Sequence, residues 1–99
     1  MVQVQTLKST EALAFIQEQK AFVLDVRTMD EFRGGHLEKA VNIPLDALPY
    51  KVEDVPKERP VVVYCLHGIR SGKAAHFLIG KGYSTVYHIE GGLDAMPRV

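Results

Sequence analysis

With 99 residues the chain has room for one hydrophobic core and no second domain, and 46% hydrophobic with 24% charged residues is the composition of a globular protein, not a disordered one. Twelve Lys and Arg offset twelve Asp and Glu, so no net charge draws the molecule to nucleic acid or to an acidic membrane, and any preference for anions must be local. The single cysteine, Cys65, excludes an intramolecular disulfide and every multi-cysteine metal site.

The opening residues lack the cationic-then-apolar pattern of a signal peptide, and the longest apolar run, Val61 to Leu66, has six residues against the ~20 that span a membrane. The expected location is therefore cytoplasmic, unless a leader has been removed. Val2 to Gln5 alternates and predicts a first, edge-like strand. Ser9 or Thr10 caps a helix whose Ala12, Phe15 and Ile16 repeat at helical spacing and which runs to about Gln19, with Glu11 near its positive end. Phe22-Val23-Leu24 is a continuous apolar run, as in a strand buried on both faces, ending at Asp25. Thr28 to Glu31 has capping-box spacing and opens a helical turn that closes at Gly34-Gly35. Ala40 to Ile43 is a third strand stopped by Pro44, which starts a turn or helix from Leu45 to about Tyr50. Pro49 to Pro60 is polar enough to be largely surface loop.

Val61-Val62-Val63-Tyr64 is the strongest strand signal and should be central. A helical pattern follows Ser71, with Ala74, Phe77, Leu78 and Lys81 on one face and Gly82 as its C-cap. Thr85 to Ile89 is a fifth strand, and Gly91-Gly92 opens a last turn near Leu93 to Met96. Strands alternating with helices predict an α/β fold with a five-stranded, mostly parallel sheet covered on both faces, in a single domain over residues 1–99.

In such sheets ligands bind beyond the carboxyl ends of the strands, and Cys65 falls at that edge. Only four residues separate it from Arg70, with Gly68 in the middle and a helix beginning at once. A loop that short can turn its backbone N–H groups inward as an anion nest, and the helix end adds about half a positive charge. Cysteines so placed drop from a pKa of about 8.5 to roughly 3.5–7.5. Cys65 is thus a candidate nucleophile. Arg70 could hold an oxyanion through two hydrogen bonds, His67 could add a polar contact, and Lys73 is a more distant cation.

The stretch Cys65-Leu66-His67-Gly68-Ile69-Arg70-Ser71 resembles the active-site loop of rhodanese (thiosulfate sulfurtransferase) domains, where Cys-x-x-Gly-x-Arg-Ser/Thr is frequent. Further landmarks of that family stand in order: Asp25-Val26-Arg27, Glu31-Phe32, Gly35-His36-Leu37, Ala40 to Pro44, and Gly91-Gly92-Leu93. The resemblance implies that Cys65 carries sulfane sulfur as a persulfide. The Cys65 thiolate would attack the outer sulfur of thiosulfate, release sulfite, and pass the sulfur to cyanide or another thiophilic acceptor such as a thiol. The substrate-binding residues would be Leu66, His67, Gly68, Ile69, Arg70 and Ser71, whose N–H groups and guanidinium would stabilise the anions.

Asp25 and Arg27 are read as a supporting ion pair at the wall of the site, with Glu31 nearby. His36 and Asn42 are read as structural, and His76 and His88 as an exposed helix residue and a strand residue. No cofactor and no metal are expected, and the molecule is expected to be a monomer. One alternative is a carrier module in which a partner protein of a sulfur relay loads Cys65. Another is a cysteine-dependent phosphatase or arsenate reductase, which has five residues between Cys and Arg and needs an acid such as Asp25, Asp46 or Asp94.

Overall fold

A computed structural model describes residues 3–97. Five strands, β1 (Gln5–Leu7), β2 (Phe22–Asp25), β3 (Val41–Asn42), β4 (Val61–Tyr64) and β5 (Val86–Ile89), form one parallel sheet in the order β1-β5-β4-β2-β3. The α/β architecture and the central position of β4 are as expected. Every residue of β2 and β4 is buried, which explains their apolar sequences, broken only by Asp25 at the carboxyl end of β2.

Alternation along β4 divides the core into two. Val61, Val63 and Cys65 face Ala74, Ala75 and Leu78 of α4 (Ile69–Gly80) and Leu48 of α3 (Leu48–Lys51). Val62 and Tyr64 face Ala12, Phe15 and Ile16 of α1 (Ala12–Gln19) and Leu93 of α5 (Gly92–Ala95). α2 (Met29–Arg33) lies at the carboxyl end of β2 and carries the expected capping box, with the Glu31 N–H donating to Thr28 Oγ and the Thr28 N–H to Glu31 Oε1.

Several boundaries differ from the sequence reading. β1 begins at Gln5, not at Val2, which lies outside the described residues; pairing with β5, from Gln5 opposite Tyr87 to Leu7 opposite Ile89, selects the segment. α1 has Glu11 as its N-cap with no side-chain cap, so neither Ser9 nor Thr10 fills that role. The turn after Pro44 becomes helical only at Leu48, and a 3-10 turn, Val52–Asp54, follows. The 49–60 segment is accordingly anchored: Val55 is buried, and Tyr83 Oη donates to the Val52 and Val55 carbonyls. α4 starts at Ile69, two residues earlier than the pattern suggested, and its C-cap is Lys81, with Gly82 next in the left-handed region.

The last turn closes on the chain that follows β4. The Leu93 N–H donates to the Cys65 carbonyl at 2.8 Å and the Asp94 N–H to the Leu66 carbonyl at 3.0 Å. Gly92 allows this approach: its φ is +67°, and a Cβ there would overlap the Leu66 carbonyl and stand 2.6 Å from the Cys65 oxygen. Gly92→Ala should therefore lower stability by about 3 kcal/mol or more. Gly80→Ala, in a helix with nothing within 4 Å of the new methyl, should raise it by about 0.5–1 kcal/mol. Thermal melts followed by circular dichroism check both, and an unshifted Gly92→Ala midpoint would contradict the close approach.

Candidate active site

Cys65 directly follows β4 at the carboxyl edge of the sheet, only 1% exposed. The next residues curl beneath it because Gly68 adopts φ 100°, a left-handed turn that a side chain would resist. This turn points the Gly68 N–H at Cys65 Sγ, 3.1 Å away, and the N–H of Ser71, the third residue of α4, at 3.3 Å. The first N–H groups of a helix have no partner within it, and Gly68, as N-cap, has no side chain to offer. The cysteine sulfur supplies that acceptor. Cys65 Sγ is in effect the cap of α4.

Burial pushes the Cys65 thiol up, but hydrogen bonds from the Ser71 hydroxyl, the Ser71 and Gly68 N–H groups and the His67 N–H outweigh it, leaving the thiol below its ordinary value. Ser71 Oγ lies 3.5 Å from Sγ and, on its other side, 3.2 Å from Nδ1 of His88 on β5. Burial and His76 hold the His88 imidazole below its usual pKa. The single Ser71 hydroxyl proton has the Gly68 carbonyl at 3.2 Å, His88 Nδ1 and the Cys65 thiolate as acceptors in reach; an Nδ1–H tautomer of His88 donates to Ser71 instead and leaves that proton to the other two. Cys65, Ser71 and His88 form one hydrogen-bonded chain.

Arg70 is less free than the sequence suggested. Its Nη1 and Nη2 donate to Glu31 Oε1 and Oε2 at 2.7 and 3.0 Å, a bidentate pair at the mouth of the loop. Glu31 is fixed in turn by its capping box with Thr28. The Arg70 hydrogen bonds hold the Glu31 carboxyl down at about 2. His67 turns outward, with 64% of its side chain exposed and Nε2 3.7 Å from Asp94 Oδ2. The expected cationic lining is thus charge-compensated, and the backbone N–H groups provide the field at Sγ. Ile69 also turns outward, 72% exposed, while Leu66 contributes its carbonyl to the contact with α5.

Asp25 and Arg27 are both buried and bonded to each other. The Arg27 N–H donates to Oδ1 at 2.9 Å, Nε to both carboxylate oxygens at 3.1 Å, and Nη2 to Oδ2 at 2.8 Å. Nη2 also reaches the Gly35 carbonyl at 2.7 Å, and the guanidinium lies over the Tyr64 ring. Asn42 Nδ2 donates to the Asp25 and Arg27 carbonyls, tying β3 to the same corner. These residues build the wall of the site, and both Asp25 carboxylate oxygens are taken up by Arg27. His36 Nδ1 donates to the Phe32 carbonyl at 2.8 Å, and its ring stacks on that of Phe32.

Sequence reasoning missed two members of this arrangement: Glu31 as the partner of Arg70, and His88 behind Ser71. The Thr28-x-x-Glu31 spacing announced a cap, but nothing near Arg70 announced a carboxylate 39 residues away. His88 could have been found only from the register that sets it opposite Val63.

Comparisons with known proteins show the family. The Rhodanese-like domain family matches residues 8–96, and the chain belongs to that family. It is 40% identical over 74 residues to "Uncharacterized protein YqhL" of Bacillus subtilis, covering 75% of this chain and 59% of that protein. It is 34% identical over 80 residues to a sulfurtransferase of Allochromatium vinosum, covering 81% and 75%. A tRNA uridine(34) hydroxylase of Erwinia tasmaniensis is 38% identical over 98 residues, 93% of this chain but only 28% of that protein. The chain thus spans 59% of the Bacillus relative and 28% of the Erwinia relative, less than two thirds of either. Among solved structures, a rhodanese-like domain protein of Staphylococcus aureus superposes with a TM-score of 0.85 at 28% identity, covering 94% of this chain and 91% of that one.

Two predictions follow from the hydrogen bonds. Ser71→Ala should raise the Cys65 pKa, because the thiolate loses a donor and the thiol does not need one; the ultraviolet absorbance of this lone thiolate against pH reads the shift, and an unmoved curve would refute the role of the hydroxyl. Glu31 is lowered from 4.5 to about 2, so its contribution to stability is complete above about pH 4.5 and is lost as pH falls toward 2. Glu31→Gln should therefore flatten the fall in melting temperature across that window, and an unchanged acid limb would argue against the pair.

Proposed function

We propose that the protein is a sulfurtransferase in which Cys65 carries sulfane sulfur as a persulfide, with thiosulfate as one donor and cyanide or a thiol as acceptor. The observation that carries this reading is Cys65 Sγ held by the N–H groups of Gly68 and Ser71 at the start of α4, with its pKa lowered. In the first stage the thiolate attacks the outer sulfur of thiosulfate; a Cys65 S–S bond forms, the thiosulfate S–S bond breaks, and sulfite leaves with the electron pair. In the second, cyanide attacks the outer sulfur of the persulfide, thiocyanate leaves, and the thiolate is restored. Both forms at Cys65 are anions, and the same N–H groups stabilise both. Neither leaving group requires a protein acid, which suits a site whose nearest buried carboxylate, Asp25, is occupied by Arg27.

A second reading, persulfide relay from a partner protein, gains support from Glu31. With the Arg70 charge already compensated by Glu31, the loop should hold a free thiosulfate dianion only weakly. The reading implies sulfur transfer without cofactor or metal.

Intact-mass spectrometry after incubation with thiosulfate should show a gain of one sulfur, about 32 Da, removed by cyanide. Cys65→Ser should abolish both the adduct and thiocyanate formation while melting normally. Arg70→Ala should mainly raise KM for thiosulfate. Retained transfer in folded Cys65→Ser would end this proposal, whereas rapid loading by a desulfurase or polysulfide with poor loading by thiosulfate would select the relay.

A further inference from the structure

Away from Cys65, at the opposite edge of the sheet, a cavity of about 730 Å³ opens between the C-terminal end of α1, the start of β2 and the segments that lead into β3 and β4. Its lining includes Val23, a buried member of the core on the α1 face, and Ile16, Ala21 and Leu37, which are partly buried and pack against that core. Its rim carries Lys20, Lys39 and Arg59, against one carboxylate, Glu38. None of the three cations has a salt bridge among the described residues, although the Arg59 guanidinium lies over the Phe22 ring.

The backbone adds an independent observation. Lys20 (φ 51°) and Lys39 (φ 66°) are the only non-glycine residues with positive φ among those described, and both line this cavity. Lys20 ends α1 in the left-handed region, its N–H bonded back to Gln17 and Ile16, a position that glycine fills without steric cost. Local strain of this kind collects at binding sites, and both residues that carry it here are lysines lining one opening.

We propose that this cavity binds a small amphipathic anion. Its carboxylate, sulfonate or phosphate head would lie among Lys20, Lys39 and Arg59, and its aliphatic or aromatic body on Ile16, Val23 and Leu37. The volume falls within the range of small-molecule pockets, and the apolar floor with a few charged groups at the rim is their usual composition. The charge of the rim selects an anion over a neutral hydrophobe. Because the cavity lies at the amino end of the strands and Cys65 at the carboxyl end, the site is separate from the proposed sulfur chemistry.

The test titrates the full chain with 1-anilinonaphthalene-8-sulfonate, an amphipathic anion whose fluorescence reports binding, and with its uncharged counterpart N-phenyl-1-naphthylamine. The sulfonate should bind saturably, one per chain, be displaced by decanoate, and perturb the amide resonances of Ala21 and Leu37 but not those of Gly68 or Ser71. Lys39→Gly should weaken the sulfonate about fivefold or more yet raise the melting temperature, since it removes charge and strain together. Lys39→Gln should weaken it equally without that rise, and both variants should bind the neutral dye and transfer sulfur as the parent does. Sulfonate binding that is non-saturable, that is insensitive to both substitutions in folded protein, or that perturbs residues elsewhere would overturn the proposal.

Discussion

Turning backbone N–H groups inward around one sulfur atom forces the carbonyls of the same loop outward, and a buried carbonyl without a partner costs about as much as the hydrogen bond it lacks. The protein meets this constraint with its last helix. Leu93 and Asp94 use two of the free N–H groups at the start of α5 to take up the Cys65 and Leu66 carbonyls, just as Cys65 Sγ takes up N–H groups at the start of α4. Two helix starts therefore meet at one loop, one giving donors to the sulfur and the other to the carbonyls behind it. Gly68 and Gly92 are the positions where this double closure demands a left-handed backbone.

The opposite wall is polar and fully satisfied. Asp25 and Arg27 place a buried ion pair beside the carboxyl ends of β2 and β4, and its remaining capacity is filled by Gly35 and the Tyr64 ring. A buried pair of this sort is a poor source of stability but a strong constraint on geometry, since loss of either partner strands a charge. It fixes the loop after β2, and with it α2 and Glu31. The orientation of Arg70 thus depends on a capping box 39 residues earlier in the chain.

What was legible in the sequence divides along the range of the interactions. β4, the Thr28–Glu31 cap, α4 and the Cys65 loop are written in contiguous residues, and their type and place could be read directly. The start of β1 could not, because three residues become a strand only through their partners on β5. The same holds for the 49–60 segment, polar in sequence yet pinned by Tyr83 from beyond α4. In the candidate site the nucleophile and its N–H donors were readable, whereas the pairing of Arg70 with Glu31 and of Ser71 with His88 required the fold. The expected positive lining failed for this reason: sequence locates a cation but not its counterion.

The two edges of the sheet are β1, with three residues, and β3, with two. Rims so short expose few unpaired ladder groups, and a strand arriving from outside would find little to zip onto. A sheet bounded in this way can be spliced next to other folded units in one polypeptide, or crowded among copies of itself, without recruiting them edge to edge. Modularity of that kind comes from what the outer strands lack, and it leaves the carboxyl edge, where the chemistry is proposed, as the exposed working end of the sheet.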